Sequence, residues 1–187
     1  MQIQLSSIKS AEQILKIFKD CKKSMELENI HQWTDSYPNF SLITKDIHNK
    51  ELYELDSGGE IAGVICLNNC QASVYENIDW LDKNGNPLII HRLAIHPQFQ
   101  NKGLAKKLMT FAEEYAFDTG FSSIRLDAFS GNEKALRLYE QRNYKKRGQV
   151  NFLERDLPFF CYEKNIKMYP SQQVHPIISD KNTTIKI

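Results

Sequence analysis

The chain has 187 residues, of which 41% are hydrophobic and 25% are charged, as expected for one globular domain. Its formal net charge of +1 gives no bulk electrostatic attraction for nucleic acid or an anionic membrane surface. No apolar run approaches the roughly 20 residues that span a bilayer, and residues 1–10 lack the basic start and apolar centre of a signal peptide.

Hydrophobic patterns predict the elements of the N-terminal part in chain order. Residues 1–5 alternate between apolar and polar, which indicates a first strand. Ser10 suits the N-cap of an amphipathic helix that ends near Lys23. An irregular aromatic stretch precedes a short helix predicted over residues 41–48. Residues 51–56 and 61–68 flank a Gly-Gly turn and predict a β-hairpin, whose second strand extends or bulges through residues 69–75.

The central part continues with a strand over residues 88–95 that reads as buried on both faces, and His96-Pro97 ends it. The remaining predicted elements are a helix over 103–119, a strand over 124–128, a helix over 132–141, and strands over 144–150 and 158–164. The helices that follow Ile95 and Ala128 predict parallel neighbouring strands. We therefore expect a mixed sheet with helices on its faces, formed by residues 1–166, and a poorly ordered or loosely docked tail over residues 167–187.

A polar loop joins the strand over 88–95 to a helix that starts at Gly103. The first amides of a helix have no internal partner, and the helix dipole adds partial positive charge, so this junction suits a phosphate. Gly103 and Ala105 leave room for a close ligand, and Lys102, Lys106 and Lys107 add positive charge. The loop has neither the P-loop pattern nor the dinucleotide fingerprint. The alternative is a glycine that merely starts a helix.

Two segments resemble a known superfamily. Gln100-Asn101-Lys102-Gly103-Leu104-Ala105 is similar to the Gln/Arg-x-x-Gly-x-Gly/Ala signature of the GCN5-related N-acetyltransferase (GNAT) superfamily. Residues 132–144 resemble its second cofactor segment, with Asn143 where glycine is common. Asparagine also tolerates left-handed geometry, so this departure is mild. The resemblance covers residues 88–164, is weaker over 1–68, and has no counterpart beyond Ile166.

The resemblance implies an α+β, acyl-CoA N-acyltransferase fold, with a mixed, mostly antiparallel sheet of about seven strands and helices on both faces. Its two central parallel strands would splay apart and hold the pantetheine arm of acetyl-CoA. The implied activity is acetyl transfer to a primary amine by direct attack in a ternary complex, and we expect a small-molecule acceptor. A protein or peptide acceptor, a non-catalytic CoA sensor and a partner-binding module remain alternatives. Many members dimerise, so a homodimer is allowed.

The resemblance also implies the cofactor-binding residues. Backbone groups along the strand would pair with the arm, the loop amides and a lysine would bind the pyrophosphate, and two side chains from the second segment would lie near the thioester. These residues are Leu93, Ala94, Ile95, Gln100, Asn101, Lys102, Gly103, Leu104, Ala105, Lys106, Asn132 and Tyr139.

Tyr139 would protonate the departing thiolate, and the alternative is a tyrosine of the core. Asn132 also suits an N-cap, which is compatible with cofactor binding.

His91 is the leading candidate for the base that takes the proton of the amine. Its ordinary pKa of about 6.5 suits that task, and the strand alternation predicts that it shares the face of Leu93. The alternative is a buried, hydrogen-bonded histidine. Glu76, Asp79 and Asp127 are rival bases.

Aromatic residues in the N-terminal part, Trp33, Tyr37 and Phe40, could wall the acceptor pocket or stack on a cation. The alternative is a hydrophobic cover over the first helices. Cys21, Cys66, Cys70 and Cys161 lack zinc-site spacing and are interpreted as reduced thiols of a cytoplasmic protein. We expect no metal, no nucleic acid and no membrane partner.

Overall fold

One mixed sheet organises the protein, which is described here by a computed structural model over residues 1–153 and 155–166. The predicted tail, residues 167–187, lies outside the described residues. The strands of the described part are β1 (Gln2–Leu5), β2 (Leu52–Asp56), β3 (Ile61–Asn68), β4 (Pro87–Ile95), β5 (Ser123–Phe129), β6 (Lys145–Val150) and β7 (Phe159–Asn165). Their order in the sheet is β1-β2-β3-β4-β5-β7-β6.

Four α-helices in the described residues cover the sheet: α1 (Ala11–Glu26), α2 (Phe40–His48), α3 (Leu104–Asp118) and α4 (Glu133–Gln141). One core lies between the sheet and α3 and α4, with Leu88, Ile90 and Leu108 at its centre. A second core lies under α1 and α2 and includes Ile14 and Ile43. The predicted mixed sheet with helices on both faces is therefore confirmed.

The direction of the strands follows the predicted pattern with one exception. β4 and β5 are parallel and joined through α3, as predicted, whereas all other neighbouring pairs are antiparallel. The prediction that the helix after Ala128 leads to a parallel neighbour is wrong. β7 lies between β5 and β6 because it pairs with β5 along its whole length, and β6 is left at the edge.

The segment after β3 also differs from expectation. Residues 69–75 do not extend the strand but leave the sheet and form a 3-10 turn at Ser73–Tyr75. Trp80, farther along, packs in a third small core with Val150 and Cys161. The segment between β3 and β4 therefore covers the sheet beside β5 and β7.

No helix in the described part of the chain is both long and apolar enough to cross a membrane.

Candidate active site

The two parallel strands separate before either one ends. β4 and β5 pair from Pro87 with Ser123 up to Ile90 with Leu126, yet β4 continues to Ile95 and β5 to Phe129. The facing backbone edges are unpaired with each other beyond that point. A cavity of about 1410 Å³ occupies the opening and reaches the start of α3 at one end and α1 and α2 at the other. This is larger than the roughly 300–1,000 Å³ of a single small-ligand pocket, so two ligands fit together.

A β-bulge interrupts β4 inside the opening. Arg92 has a left-handed φ of 46°, and the register against β3 shifts there, so β4 carries one extra residue. Cys66, the cross-strand partner of His91, belongs to the core under α1 and α2, whereas Leu93 packs against the core under α3 and α4. The prediction that His91 shares the face of Leu93 is wrong, because the bulge reverses the alternation between them.

The start of α3 has the geometry expected of an anion site. Gly103 is its N-cap with a φ of 76°, a conformation that residues with a Cβ rarely adopt, and an added Cβ would meet no protein atom within 4 Å. Gly103 provides no side-chain cap, and the first turn contains no acidic residue. The amides of Leu104, Ala105 and Lys106 therefore face the cavity end without a side-chain cap.

The loop before α3 is braced by side chains. Gln100 donates from Nε2 to the carbonyl of Ile95 over 3.0 Å, and the Cys21 thiol donates to the same oxygen over 3.2 Å. That carbonyl is thus satisfied within the protein. Lys102 lies over the Phe99 ring, 5.2 Å from its centroid, and is absent from the cavity lining, whereas Lys106 belongs to it.

Asn132 uses both of its polar atoms. Its Oδ1 accepts from the Ala135 amide over 3.1 Å, which confirms the predicted N-cap of α4. Its Nδ2 donates to Oε1 of Gln32 over 2.8 Å, in the segment between α1 and α2. Lys134 and Glu28 form a salt bridge of 2.8 Å nearby. These contacts fasten the segment between α1 and α2 to the start of α4 across the opening.

Tyr139 lines the cavity from α4 and is 7% exposed. Its ring packs against those of Tyr144 and Tyr162, each with a centroid separation of 6.1 Å. Burial raises the pKa of the Tyr139 hydroxyl, and Asp127 and Tyr162 add to the rise. The hydroxyl is therefore protonated at neutral pH. Tyr139 therefore belongs to the core and also faces the cavity, and its role as a proton donor stays a prediction.

His91 lines the cavity on the side of α1 and α2. Burial, followed by the neighbouring Arg92, lowers the pKa of the His91 ring to about 4. Its Nε2 lies 3.0 Å from Oδ1 of Asn68, and Asn68 donates to Glu51 over 3.0 Å. Because Oδ1 is an acceptor, Nε2 carries the hydrogen in the neutral ring. A backbone hydrogen bond with Cys70 partly opposes the fall in the pKa of His91. The ring is neutral at neutral pH but a weak base.

Arg92 and Asp46 were missed by sequence reasoning. Nη2 of Arg92 lies 2.7 Å from Oδ2 of Asp46 and 3.0 Å from Sγ of Cys66, and Nη1 donates to Tyr37 over 3.3 Å. Burial raises the pKa of the Asp46 carboxyl, and Arg92 opposes that rise. Ligand atoms of Asp46, Glu51 and Cys66 lie within 4.8 Å of one another. The guanidinium already contacts two of the three, so this donor set suits Arg92 better than a metal ion.

Two of the three predicted acceptor residues line this cavity, and all three line a smaller pocket of about 480 Å³ that shares Trp33 and Tyr37 with it. Trp33 and Tyr37 line the cavity, and Trp33 packs edge-on against Phe18 with centroids 5.2 Å apart. Phe40 is 45% exposed at the start of α2 and is absent from the cavity lining. Trp33 thus combines the two interpretations, as a cover over α1 and as a cavity wall.

Among the rival bases, the structure brings one to the cavity. Asp127 lines it and accepts a hydrogen bond of 2.8 Å from the Tyr75 hydroxyl. Asp79 is exposed and pairs with Lys83 over 3.0 Å. Neither Asp79 nor Glu76 belongs to the cavity lining.

Comparison with known proteins gives a consistent result. The model of the acetyltransferase (GNAT) family matches residues 11–144. An uncharacterized N-acetyltransferase from Lactobacillus delbrueckii subsp. lactis is 36% identical over 90 residues, which are 48% of this chain and 49% of that protein. The match therefore spans about half the length of this curated relative.

Solved structures share the fold over most of the chain. A GNAT-family acetyltransferase from Streptococcus agalactiae superposes with a TM-score of 0.77 at 25% identity, covering 88% of this chain and 94% of its own. The yncA protein of Salmonella typhimurium, solved with its cofactor acetyl-CoA, has a TM-score of 0.67 at 14% identity, covering 93% and 98%. At that identity the likeness concerns the fold alone.

Proposed function

Because this chain belongs to the GNAT family of acetyltransferases, we propose that it transfers the acetyl group of acetyl-CoA to a primary amine. The observation that carries the proposal is the opening between β4 and β5, which leads to the uncapped start of α3 at Gly103. A strand-like arm fits between the separated edges, and a diphosphate fits the free amides. Residues 1–166 form the catalytic domain in this proposal.

The chain would hold the cofactor mainly through its backbone. The amides of Leu104, Ala105 and Lys106 would bind the pyrophosphate, with the Lys106 side chain adding charge. Backbone groups of Leu93 and Ile95 would pair with the pantetheine arm, since no β5 backbone lies opposite them. Asn132 would reach the arm only by exchanging its bond to Gln32.

Acetyl-CoA supplies the activated acetyl group as a thioester. The protein positions the amine and the thioester in one cavity, which converts their encounter into an intramolecular step. Tyr139, kept protonated by burial, has a proton to donate to the departing sulfur. An alkyl ammonium must lose a proton before it attacks, and His91 and Asp127 are the two sequence-predicted bases that line the cavity.

A small-molecule amine is the favoured acceptor in this proposal. The acceptor end is walled by Trp33, Tyr37 and Tyr75 and is crossed by the segment that Gln32 fastens to α4. A site that is crossed by such a segment suits a compact amine better than a peptide that must pass through the site. A cytoplasmic location and a homodimer complete the proposal on the basis of sequence and resemblance.

The test is calorimetry with acetyl-CoA, followed by release of free CoA over a panel of phenethylamine, putrescine, glycine ethyl ester and a short peptide with a free N-terminus. We expect micromolar to submillimolar binding and release of CoA with a small amine. Binding without release for any amine would favour a CoA sensor, and release with the peptide alone would favour a peptide acceptor. Absence of binding at millimolar acetyl-CoA would refute the proposal.

A further inference from the structure

Asp127 and His91 hold equivalent places on the two sides of the opening. Ile90 and Leu126 are the last paired residues of β4 and β5, and both belong to the core under α3 and α4. Because strand side chains alternate, the next residues, His91 and Asp127, lie on the opposite face. Both line the cavity at the point where the strands begin to separate.

The surroundings of Asp127 contain little to neutralise a carboxylate. Tyr75 donates to its Oδ1 over 2.8 Å, and no ion pair to Asp127 is formed among the described residues. The titratable groups around it are Tyr75, Tyr139 on α4, Cys161 on β7 and Arg92 on β4. Arg92 is the charged member, and its guanidinium is already paired with Asp46.

We propose that Asp127 is the catalytic residue that takes the proton of the acceptor ammonium, with Tyr75 as the residue that positions its carboxylate. This assignment rests on the proposed acetyl transfer. It follows from the place of Asp127 where the two strands begin to separate, in the same cavity as Tyr139, and from the Tyr75 hydrogen bond that orients its carboxylate.

The surroundings of the two candidates support this choice. Burial raises the pKa of the Asp127 carboxyl, while the Tyr75 hydrogen bond opposes that rise. His91 has a pKa lowered to about 4 by burial and by Arg92, and its protonation would add charge beside a guanidinium. An anionic acceptor also attracts the ammonium, whereas a neutral imidazole does not.

The proton and electron balance is complete. Asp127 takes one proton from the ammonium and passes it to solvent. The freed nitrogen lone pair forms the C–N bond to the acetyl carbon, the C–S bond breaks, and the sulfur takes a proton from Tyr139. The nitrogen then loses its second proton, which restores Tyr139 through solvent. One proton is released for each amide formed.

The test compares Asp127→Asn with Asp118→Asn, an exposed control at the end of α3. Asparagine retains an oxygen that can accept from Tyr75, so the variant keeps both the hydrogen bond from Tyr75 and the volume of the side chain. We expect kcat/KM for the most active amine of the panel to fall by about 10²- to 10⁴-fold at pH 7, with acetyl-CoA affinity unchanged. The loss should shrink as the pH approaches about 10.4, where the amine arrives already neutral.

Tyr75→Phe separates positioning from proton transfer. Without the hydrogen bond that lowers the pKa of Asp127, the acidic limb of the kcat/KM profile should move to higher pH. The same shift should appear without any substrate in the ¹³C carboxyl titration of aspartate-labelled protein, in the signal that Asp127→Asn removes.

The outcomes are distinguishable. If Asp127→Asn keeps full kcat/KM, or loses the same factor at every pH, the assignment of Asp127 is wrong while acetyl transfer stands. A midpoint at or below 3.8 for that carboxyl would also overturn it. If the wild-type protein transfers no acetyl group to any amine, the proposed function fails and the assignment fails with it.

Discussion

Arg92 on β4 and Asp46 on α2 form an ion pair of 2.7 Å, with side chains only 8% and 5% exposed. The pair joins the bulged strand to the helix that covers it, beside the cavity. The bulge directs Arg92 to the same face of the sheet as His91. The buried ion pair with Asp46 therefore depends on the bulge.

Breaking this pair should destabilise the fold strongly. Asp46→Asn leaves a buried guanidinium without its counter-charge, so we expect a loss of about 3–5 kcal/mol in the free energy of unfolding, measured with urea. The double variant Arg92→Met/Asp46→Leu should lose less than the sum of the single variants. Lys16→Gln, which breaks an exposed i,i+4 pair of α1, is the control and should cost less than about 0.5 kcal/mol. A loss below about 1 kcal/mol for Asp46→Asn would contradict this account.

Gly103→Asp should abolish tight binding of acetyl-CoA. The new carboxylate would lie at the proposed pyrophosphate site, where like charges about 4 Å apart cost roughly 1–4 kcal/mol, or about 5- to 1000-fold in Kd. Gly120→Asp is a matched control at the other end of α3, because Gly120 has a φ of 79° and similar free space. Both carry about 1–2 kcal/mol of backbone strain. Equal Kd values for the two variants by calorimetry would rule out the proposed site.

Tyr139→Phe should slow acetyl transfer with little change in cofactor affinity. Loss of a proton donor to the sulfur is expected to lower kcat by about 10²-fold or more. Tyr144→Phe is the control, since Tyr144 packs 6.1 Å from Tyr139 and does not line the cavity. The readouts are single-turnover rates and the Kd of acetyl-CoA. If the two variants have the same rate, Tyr139 acts only through packing.

His91 should make the stability of the fold depend on pH. Its folded-state pKa of about 4 lies below the ordinary value of 6.5, so between these values the unfolded state binds more protons. The contribution of the neutral His91 ring to the free energy of unfolding is complete above pH 6.5. It is lost as the pH falls towards 4, by at most about 3 kcal/mol. In urea titrations, His91→Gln should flatten the stability profile in that window. A wild-type and a variant profile that remain parallel from pH 7 to 4 would contradict this prediction.

Sequence patterns located most of the fold because burial imposes a period on each element. β4, α3 and α4 were predicted to within about two residues, and α3 connects the parallel pair as expected. The position of β7 could not be predicted, because strand order depends on which edges meet in three dimensions. The resemblance identified the family, and the uncapped start of α3 lies where the signature placed it.

The acceptor side was less predictable for a physical reason. The sequence around the bulge at Arg92 contains no glycine that would indicate it. The one extra residue nevertheless places His91 and Leu93 on opposite faces of the sheet. Asp46 pairs with an arginine that is distant in the chain, and Tyr75 reaches Asp127 from a segment predicted to be strand. Contacts of this kind depend on tertiary packing, which a local periodicity does not encode.

The short pairing between β4 and β5 has a mechanical consequence. Four register pairs, from Pro87 with Ser123 to Ile90 with Leu126, join the two halves of the sheet directly. If the two halves of the sheet rotate about these four residue pairs, Ile95 and Phe129 at the strand ends move farthest. His91 and Asp127 move least, because each directly follows the last paired residue of its strand. Widening the groove to admit a bulky nucleotide thioester therefore leaves the distance between the proton-handling groups almost constant.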